Sequence, residues 1–405
     1  MRKERGYLRH PGFLSVMFAA AHALVLLVIT LYLYSSDAHE PAFQVEIFRD
    51  YARQLFSGEI PYSGFPYEYP PLSLLVLLLP GLASTGGKAY ATAFGLEMLL
   101  LDWTILYVLS RVGLRAVALY GVGFLLFWRL PFIRHDLGPV AAATLGAYLL
   151  LRGRGTWAAV LWGLGGALKL YPMVAVPALA FGTGLVEALK RWAVAAVVLV
   201  GGTLWGVLAF GPEATSFLGY HADRPAMIES FPANVLLLLP EAEVIHSYGS
   251  FNVVGPLAEE LVCLFGVLQL LAIGAALLLS YQTSRPAPRT GALRAVAAAT
   301  LAFAAFGKVL SPHFLLWPLP LLALVAGMGG LRHGRTTWAL YFAAIVLTTA
   351  INEQYWAISE NLQYFTAMLS VRNLLLLPLF VLLLLRPKQA VEHEQKNAEG
   401  DEGVP

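Results

Sequence analysis

Glu46, Asp50 and Arg53 recur at spacings of four and three residues, so on a helix they line one face. A carboxylate held this way can accept the proton of an attacking hydroxyl. Arg53 is placed to hold Asp50 as an ion pair, which would leave Glu46 the freer of the two, with Asp50 second. Glu68 is a third carboxylate, in Tyr67-Glu68-Tyr69-Pro70-Pro71. It reads as a binding or structural group rather than a base. Fixed positive charge, which holds and stabilises anions, is offered by Lys169, Arg134, Arg224 and Lys308, with His221 and His313 beside similar motifs and Asp136 near Arg134. Each also has a plain structural role open to it. Lys169 and Lys308 can extend their charged heads from span ends, Arg134 and Asp136 can pair with each other, and His221 can be a surface histidine. His313, between Pro312 and Phe314, can cap a helix. Glu97 and Asp102 lie inside an apolar run and read as structural hydrogen-bonders. No cluster has metal-ligand spacing, and a single cysteine, Cys263, rules out an internal disulfide.

The elements that must position these groups are membrane helices. Hydrophobic residues make up 58% of the chain and charged ones 13%, against roughly 25% charged in soluble domains; the mean hydropathy is +0.67. Apolar runs recur from Phe13 to Leu385, each long enough or nearly so to cross a hydrocarbon core of about 30 Å. They are continuous rather than alternating, which excludes a β-barrel. A net charge of +2 gives no field that points to nucleic acid. The first apolar run is too long for a signal-peptide core and reads as a retained span.

Basic residues fall into groups: Arg2, Lys3, Arg5 and Arg9; Arg111 and Arg115; Arg152 and Arg154; Lys190 and Arg191; Arg285, Arg289 and Arg294; Arg332 and Arg335; Arg386 and Lys388. The positive-inside rule makes these cytoplasmic. The expected fold is an all-α polytopic membrane protein with about 12 transmembrane helices (roughly 11–13), both termini inside, and an interfacial helix in the first external loop. Residues 1–387 form the membrane domain, with external loops at 36–71 and 211–256, and residues 388–405 a disordered cytoplasmic tail. The run from Leu72 to Leu82 is short, and the charge scheme allows one net crossing between Pro70 and Arg111, so it can be re-entrant. The site candidates then converge on the external face. The loop helix is expected over Phe43 to Phe56, with an apolar stripe of Phe43, Ile47, Phe48, Tyr51 and Leu55, ended by Gly58.

That loop, followed by Gly58-Glu59-Ile60-Pro61-Tyr62 and Glu68-Tyr69-Pro70-Pro71-Leu72, resembles the glycosyltransferase C superfamily, and within it the family 87 polyprenol-phosphate-mannose-dependent mannosyltransferases of bacteria. Lys169-Leu170-Tyr171-Pro172, His221-Ala222-Asp223-Arg224-Pro225 with Ile228-Glu229-Ser230, and Ser311-Pro312-His313-Phe314-Leu315-Leu316-Trp317 are similar to further elements of that family, in the same order. The family's acidic position, four before the loop-helix aromatic, holds Gln44, and His313 stands where glutamine is frequent; Gln44 cannot be a base.

The resemblance implies sugar transfer, most often of mannose, from a polyprenyl phosphate donor to a glycan or glycolipid acceptor in the cell membrane, with no cofactor and no metal. The external siting agrees, because nucleotide sugars are not available there, and no glycine-rich nucleotide loop is present. Glu46 or Asp50 would then be the base. Lys169, Arg134, Asp136, His221, Arg224, Lys308, His313 and Glu68 would bind donor phosphate or substrate. A secondary transporter or lipid flippase is the alternative; it fits less well because no internal repeat is visible and the polar groups gather at one end of the spans. In a Cys263→Ala background, cysteines placed at positions 46 and 221 are expected to react with an impermeant thiol reagent from outside the cell. Reaction from the cytoplasm alone would overturn the orientation.

Overall fold

A computed structural model describes residues 11–35, 45–283, 287–358 and 361–385. The N-terminal basic group, Phe43, Gln44, Arg285, Arg386 and the 388–405 tail lie outside the described residues. The elements run α1 (Pro11–Ser35), α2 (Glu46–Phe56), α3 (Leu74–Ala83), α4 (Gly87–Ser110), α5 (Leu114–Leu126), α6 (Leu137–Leu151), α7 (Gly155–Leu168), α8 (Leu185–Phe210), α9 (Phe217–Asp223), β1 (Ala226–Met227), α10 (Phe231–Leu236), β2 (Glu243–Ser247), β3 (Ser250–Val254), α11 (Ala258–Thr283), α12 (Pro288–Phe306), α13 (Pro318–Gly327), α14 (Gly334–Glu353) and α15 (Leu362–Leu384).

Five of these, α1, α4, α8, α11 and α15, are long and apolar enough to cross a membrane, and several shorter apolar helices accompany them. On α1, α8 and α11 most of the apolar surface faces outward, as with Leu24, Leu31, Val197, Leu208, Leu270 and Leu271. Large apolar surface of this kind is stable against lipid, not water. The interior is filled by α6, α12 and α13, where the alanine-rich α12 is almost wholly buried. Small residues let backbones close up: a Cβ at Gly163 would meet the Ala195 carbonyl at 2.5 Å. The architecture is that of an all-α membrane protein.

The two ends of the bundle differ. At one, the basic connections meet: Gly153 lies against the Arg289 guanidinium, Gly155 against Arg191, and Gly334 against Arg115, while Arg294 donates to the Leu385 carbonyl. At the other end lie α2, the turn before α6, the Lys169 break and the 211–256 segment. The run 72–82 stays at this second end. It is a 3₁₀ turn, Pro71–Ser73, leading into α3, whose ten residues span only about 15 Å. Gly81 packs on Phe56 and Ala52 of α2, and Gly87, opening α4, lies beside Arg49. The chain thus returns to α2 before α4 makes the single passage to Arg111.

Helix α2 forms over Glu46–Phe56 and buries Phe48, Tyr51 and Ala52. Of the expected stripe, Ile47 is exposed instead. Gly58 takes a φ of +92°, a conformation that suits glycine and ends the helix.

The all-α expectation is corrected in one place. Residues 226–254 hold a three-stranded antiparallel sheet in the order β1-β3-β2. The β2–β3 hairpin turns on Tyr248 and Gly249, both at positive φ, the conformation that two-residue hairpins favour. This segment has no core of its own. Ala226, Ile228, Leu236 and Val253 share an apolar cluster with Ile351, Tyr355, Phe365 and Leu369 from the ends of α14 and α15.

In the bundle interior, the Asp102 carboxylate receives the Tyr120 hydroxyl at 2.8 Å and faces His22 Nδ1 at 2.7 Å, all three fully buried. This accounts for Asp102 as a structural tie between α1, α4 and α5. Asp102→Ala would leave both partners unsatisfied, at a cost of about 1–3 kcal/mol. A lowered thermal midpoint in detergent is expected, with normal turnover at low temperature; an unchanged midpoint would contradict the role.

Candidate active site

Three interrupted segments meet at the end of the bundle opposite the basic connections. The first is the turn between α5 and α6, where a 3₁₀ turn at Leu130–Phe132 leads to Arg134-His135-Asp136. In the second, α7 stops at Leu168, Lys169 is extended, and the chain resumes as a 3₁₀ stretch, Tyr171–Ala180. The third is the break after α12, where Pro312–Leu316 forms another 3₁₀ turn before α13. Proline opens each 3₁₀ stretch at its first or second position, where a missing N–H costs nothing. Broken backbone inside a membrane protein persists where protein surrounds it or where it lines a cavity.

The breaks bring Asp136, Lys169 and His313 together. Lys169 Nζ donates to Asp136 Oδ1 at 2.8 Å, and the Trp317 indole N–H donates to the same oxygen at 2.6 Å. His313 Nε2 lies 3.5 Å from Asp136 Oδ2. Asp136 is fully buried, while the Lys169 side chain keeps 14% exposure and so still presents its ammonium outward. The rings of Tyr69, Phe314 and Trp317 surround that ammonium at 5.8, 5.3 and 5.3 Å. Trp317 stacks on Tyr171 at 4.1 Å with the rings nearly parallel. Burial opposes ionisation of Asp136, but the Lys169 charge and hydrogen bond hold its carboxyl well below the usual range; His313 adds to this only when protonated, and burial pushes its ring well below the usual histidine value. His135 packs edge-on against Tyr69 and Phe48 with neither ring nitrogen bonded. Burial and the Lys169 charge push it down to about 3, so it is neutral at physiological pH.

Arg134 is half-buried beside this group, and its Nε has no hydrogen-bond partner. It does not pair with Asp136, whose partner is Lys169. Arg224 is buried and donates to Ser250 Oγ at 2.5 Å. Lys308 donates to the Ala222 carbonyl at 2.7 Å, tying α9 to the break after α12. These two cations brace the 211–256 segment and add positive charge behind the site.

Glu68 is half-buried at the mouth. Its charge acts on Tyr69, Tyr220, Tyr51 and the exposed His221, while the Tyr220 hydroxyl donates to the Tyr248 carbonyl at 3.2 Å. Glu46 and Asp50 lie elsewhere on α2. The buried face of that helix, led by Phe48 and Tyr51, is the one turned to Tyr69, Tyr67 and His135. Glu46 is exposed on the far side. Asp50 is held by Arg49, at 2.9 and 3.2 Å, and not by the exposed Arg53. Among the described residues, no group of three or more His, Cys, Asp or Glu side chains is arranged to hold a metal ion.

A further set escaped the sequence reading. Glu229 is fully buried, and Arg372 Nη2 and Asn373 Nδ2 donate to its carbonyl at 2.8 and 3.1 Å. Its carboxylate lies 3.7 Å from Arg372. The signal available was an arginine in the apolar run of α15, since an intramembrane charge marks function by default.

Residues 67–312, well over half of the chain, match glycosyltransferase family 87. The chain belongs to that family. It is also similar to a protein named GPI mannosyltransferase 1 from Gibberella zeae, with 24% identity over 351 residues, covering 77% of this chain and 79% of the relative. The family 87 match spans Glu68, Tyr69, the Arg134–Asp136 turn, Lys169 and Pro312, and leaves out α2 with Glu46 and Asp50.

Burial pushes the Glu229 carboxyl up to about 7, against the pull of Arg372, Arg134 and Arg224. A raised carboxyl favours the folded state while protonated. Its own contribution to stability is therefore lost as pH rises from about 4.5 to 7, while the depressed His135 contributes in the opposite sense between about 3 and 6.5. Glu229→Gln removes only the first contribution, so the difference in thermal midpoint between the variant and the unaltered protein is expected to change between about pH 4.5 and 7. A difference that stays constant over that range would contradict it.

Proposed function

We propose that this family 87 glycosyltransferase moves a mannosyl group from a polyprenyl phosphate carrier to a hydroxyl of a lipid-linked or cell-envelope glycan, on the extracytoplasmic face of the plasma membrane. The observation that carries the reading is the cationic group built at the helix breaks. Lys169 is fixed by Asp136 and ringed by aromatics, with Arg134 and an uncharged His313 beside it, at the end opposite the basic connections. A group of this composition suits a phosphate at headgroup depth. The name of the Gibberella zeae relative, GPI mannosyltransferase 1, supports mannose as the sugar and a glycolipid as the acceptor.

The step is a direct displacement. The acceptor hydroxyl oxygen bonds to the anomeric carbon, and the bond from that carbon to the phosphate oxygen breaks. The electron pair leaves on the phosphate, where Lys169 and Arg134 stabilise the added charge, and the hydroxyl proton passes to a carboxylate. Glu68 fills that last role best, because it directly precedes Tyr69, whose ring lies against Lys169, and its charge reaches Tyr220 and His221. Asp136 is buried against Lys169 and positions it. His313, with Nδ1 unbonded, is a second group for the phosphate. Glu46 and Asp50 remain carboxylates of α2 on the face turned from Tyr69.

Purified protein in nanodiscs is expected to transfer mannose from polyprenyl phosphate-mannose and to ignore a nucleotide sugar; robust transfer from the nucleotide sugar without a lipid carrier would refute the donor. Glu68→Gln should lower kcat by about 10²- to 10⁴-fold with donor binding retained. If Glu68→Gln keeps near-normal turnover and Glu46→Gln or Asp50→Asn is inactive, the base belongs to α2.

A further inference from the structure

Next to Glu68 in the chain, the first loop and α9 form a pocket of about 330 Å³ whose lining includes Tyr62, Phe65, Pro66, Tyr67, Ser216 and Tyr220. None of these lining residues carries a charge. We infer that this pocket is the subsite for a neutral pyranose ring of the acceptor, which it stacks on tyrosine faces while presenting the ring's hydroxyl to Glu68. The inference rests on the transfer reading above and extends it to the acceptor.

Three observations carry it. The first is chemistry. Aromatic faces bind the C–H side of a sugar ring; the size, about 330 Å³, falls at the small end of the range of ligand sites. A pocket without cations suits an uncharged sugar and gives nothing to a phosphorylated one.

The second is rigidity. Tyr67 is buried, and its hydroxyl shares a 2.6 Å hydrogen bond with Ser73. Tyr62 packs edge-on to Tyr67 at 5.3 Å, and Phe65 stacks on Tyr51 at 5.8 Å. Tyr62 itself holds a φ of +71°, rare for a residue with a side chain. Its N–H donates to Phe65 O at 2.9 Å and its hydroxyl to Tyr69 O at 2.8 Å, which fixes the ring in place. Backbone strain of this kind persists only where the surroundings enforce it, and it gathers at ligand clamps.

The third is continuity. Tyr67 precedes Glu68 in the chain, and Tyr220, whose hydroxyl donates to the Tyr248 carbonyl at 3.2 Å, forms the opposite wall within range of the Glu68 charge. A ring seated in the pocket therefore borders the group proposed to take its proton, with Tyr69 and Lys169 just beyond.

The test uses full-length protein in nanodiscs, polyprenyl phosphate-mannose as donor and methyl α-mannoside as acceptor. Tyr62→Leu removes the aromatic face, and Ser216→Trp fills the pocket from an exposed position. The acceptor KM is expected to rise about five- to ten-fold for Tyr62→Leu and more for Ser216→Trp. An unchanged acceptor KM in both variants would overturn the subsite, as would equal transfer to mannose 6-phosphate or to a plain alkyl alcohol. Titration of methyl α-mannoside alone separates the two proposals. Binding by the unaltered protein that is lost in Ser216→Trp supports the subsite even if no transfer from the lipid donor is seen, which would instead sink the transfer reading. No binding by the unaltered protein overturns the subsite.

Discussion

The ion pair between Lys169 and Asp136 is the interaction on which the rest of the site depends. Taking two charges out of water costs more than a single contact returns, and the cost is offset only when every remaining polar atom finds a good partner. Here the Trp317 indole supplies a second donor to Asp136 Oδ1 and three aromatic rings surround the ammonium, but Oδ2 has only His313 Nε2 at 3.5 Å, so the compensation is incomplete. What the pair secures is position. Lys169 follows α7, Asp136 precedes α6 and Trp317 opens α13, so one carboxylate pins three helix ends at one point. The partly open face of Lys169 is then left for an anion.

That arrangement explains why the helices around it are short. A helix that passes straight through buries its backbone in its own hydrogen bonds and offers a ligand only side chains. Stopping α5, α7 and α12 and restarting them as 3₁₀ turns brings chain ends, and the polar residues on them, together at one end of the bundle. The long helices α1, α8 and α11 do the opposite work, turning apolar surface outward and leaving the interior to small residues that let the broken segments pack closely. The sheet and α10 close the same end, held by Arg224, Lys308 and the Glu229–Arg372 contact.

Much of this was legible in the sequence. Apolar runs gave the helices, and the grouping of arginines and lysines separated the two ends. The Arg134-His135-Asp136 turn, Lys169 and His313 were expected to share an end, and they do, because span direction is set by charge and length alone. The pairing of Asp136 with Lys169 was not legible. They are 33 residues apart on different helices, and a neighbouring arginine was the simpler partner. On α2 the spacing put Glu46, Asp50 and Arg53 on one face correctly, but spacing cannot say which face meets the core; Phe48 and Tyr51 decided that, and Arg49 captured Asp50. The hairpin at Glu243–Val254 was hidden by its length, five residues to a strand in a segment otherwise without pattern. Arg372 and Asn373 were lost inside a long apolar run, where hydropathy averages away the two residues that matter.

The claim that a phosphate is held where the helix breaks meet is tested most directly by a structure with polyprenyl phosphate bound. The account predicts density for the phosphate within hydrogen-bonding distance of Lys169 Nζ, with Arg134 and His313 turned toward it and the lipid chain leaving between apolar helices. A phosphate bound elsewhere, with the Lys169–Asp136 pair closed and untouched, would contradict it.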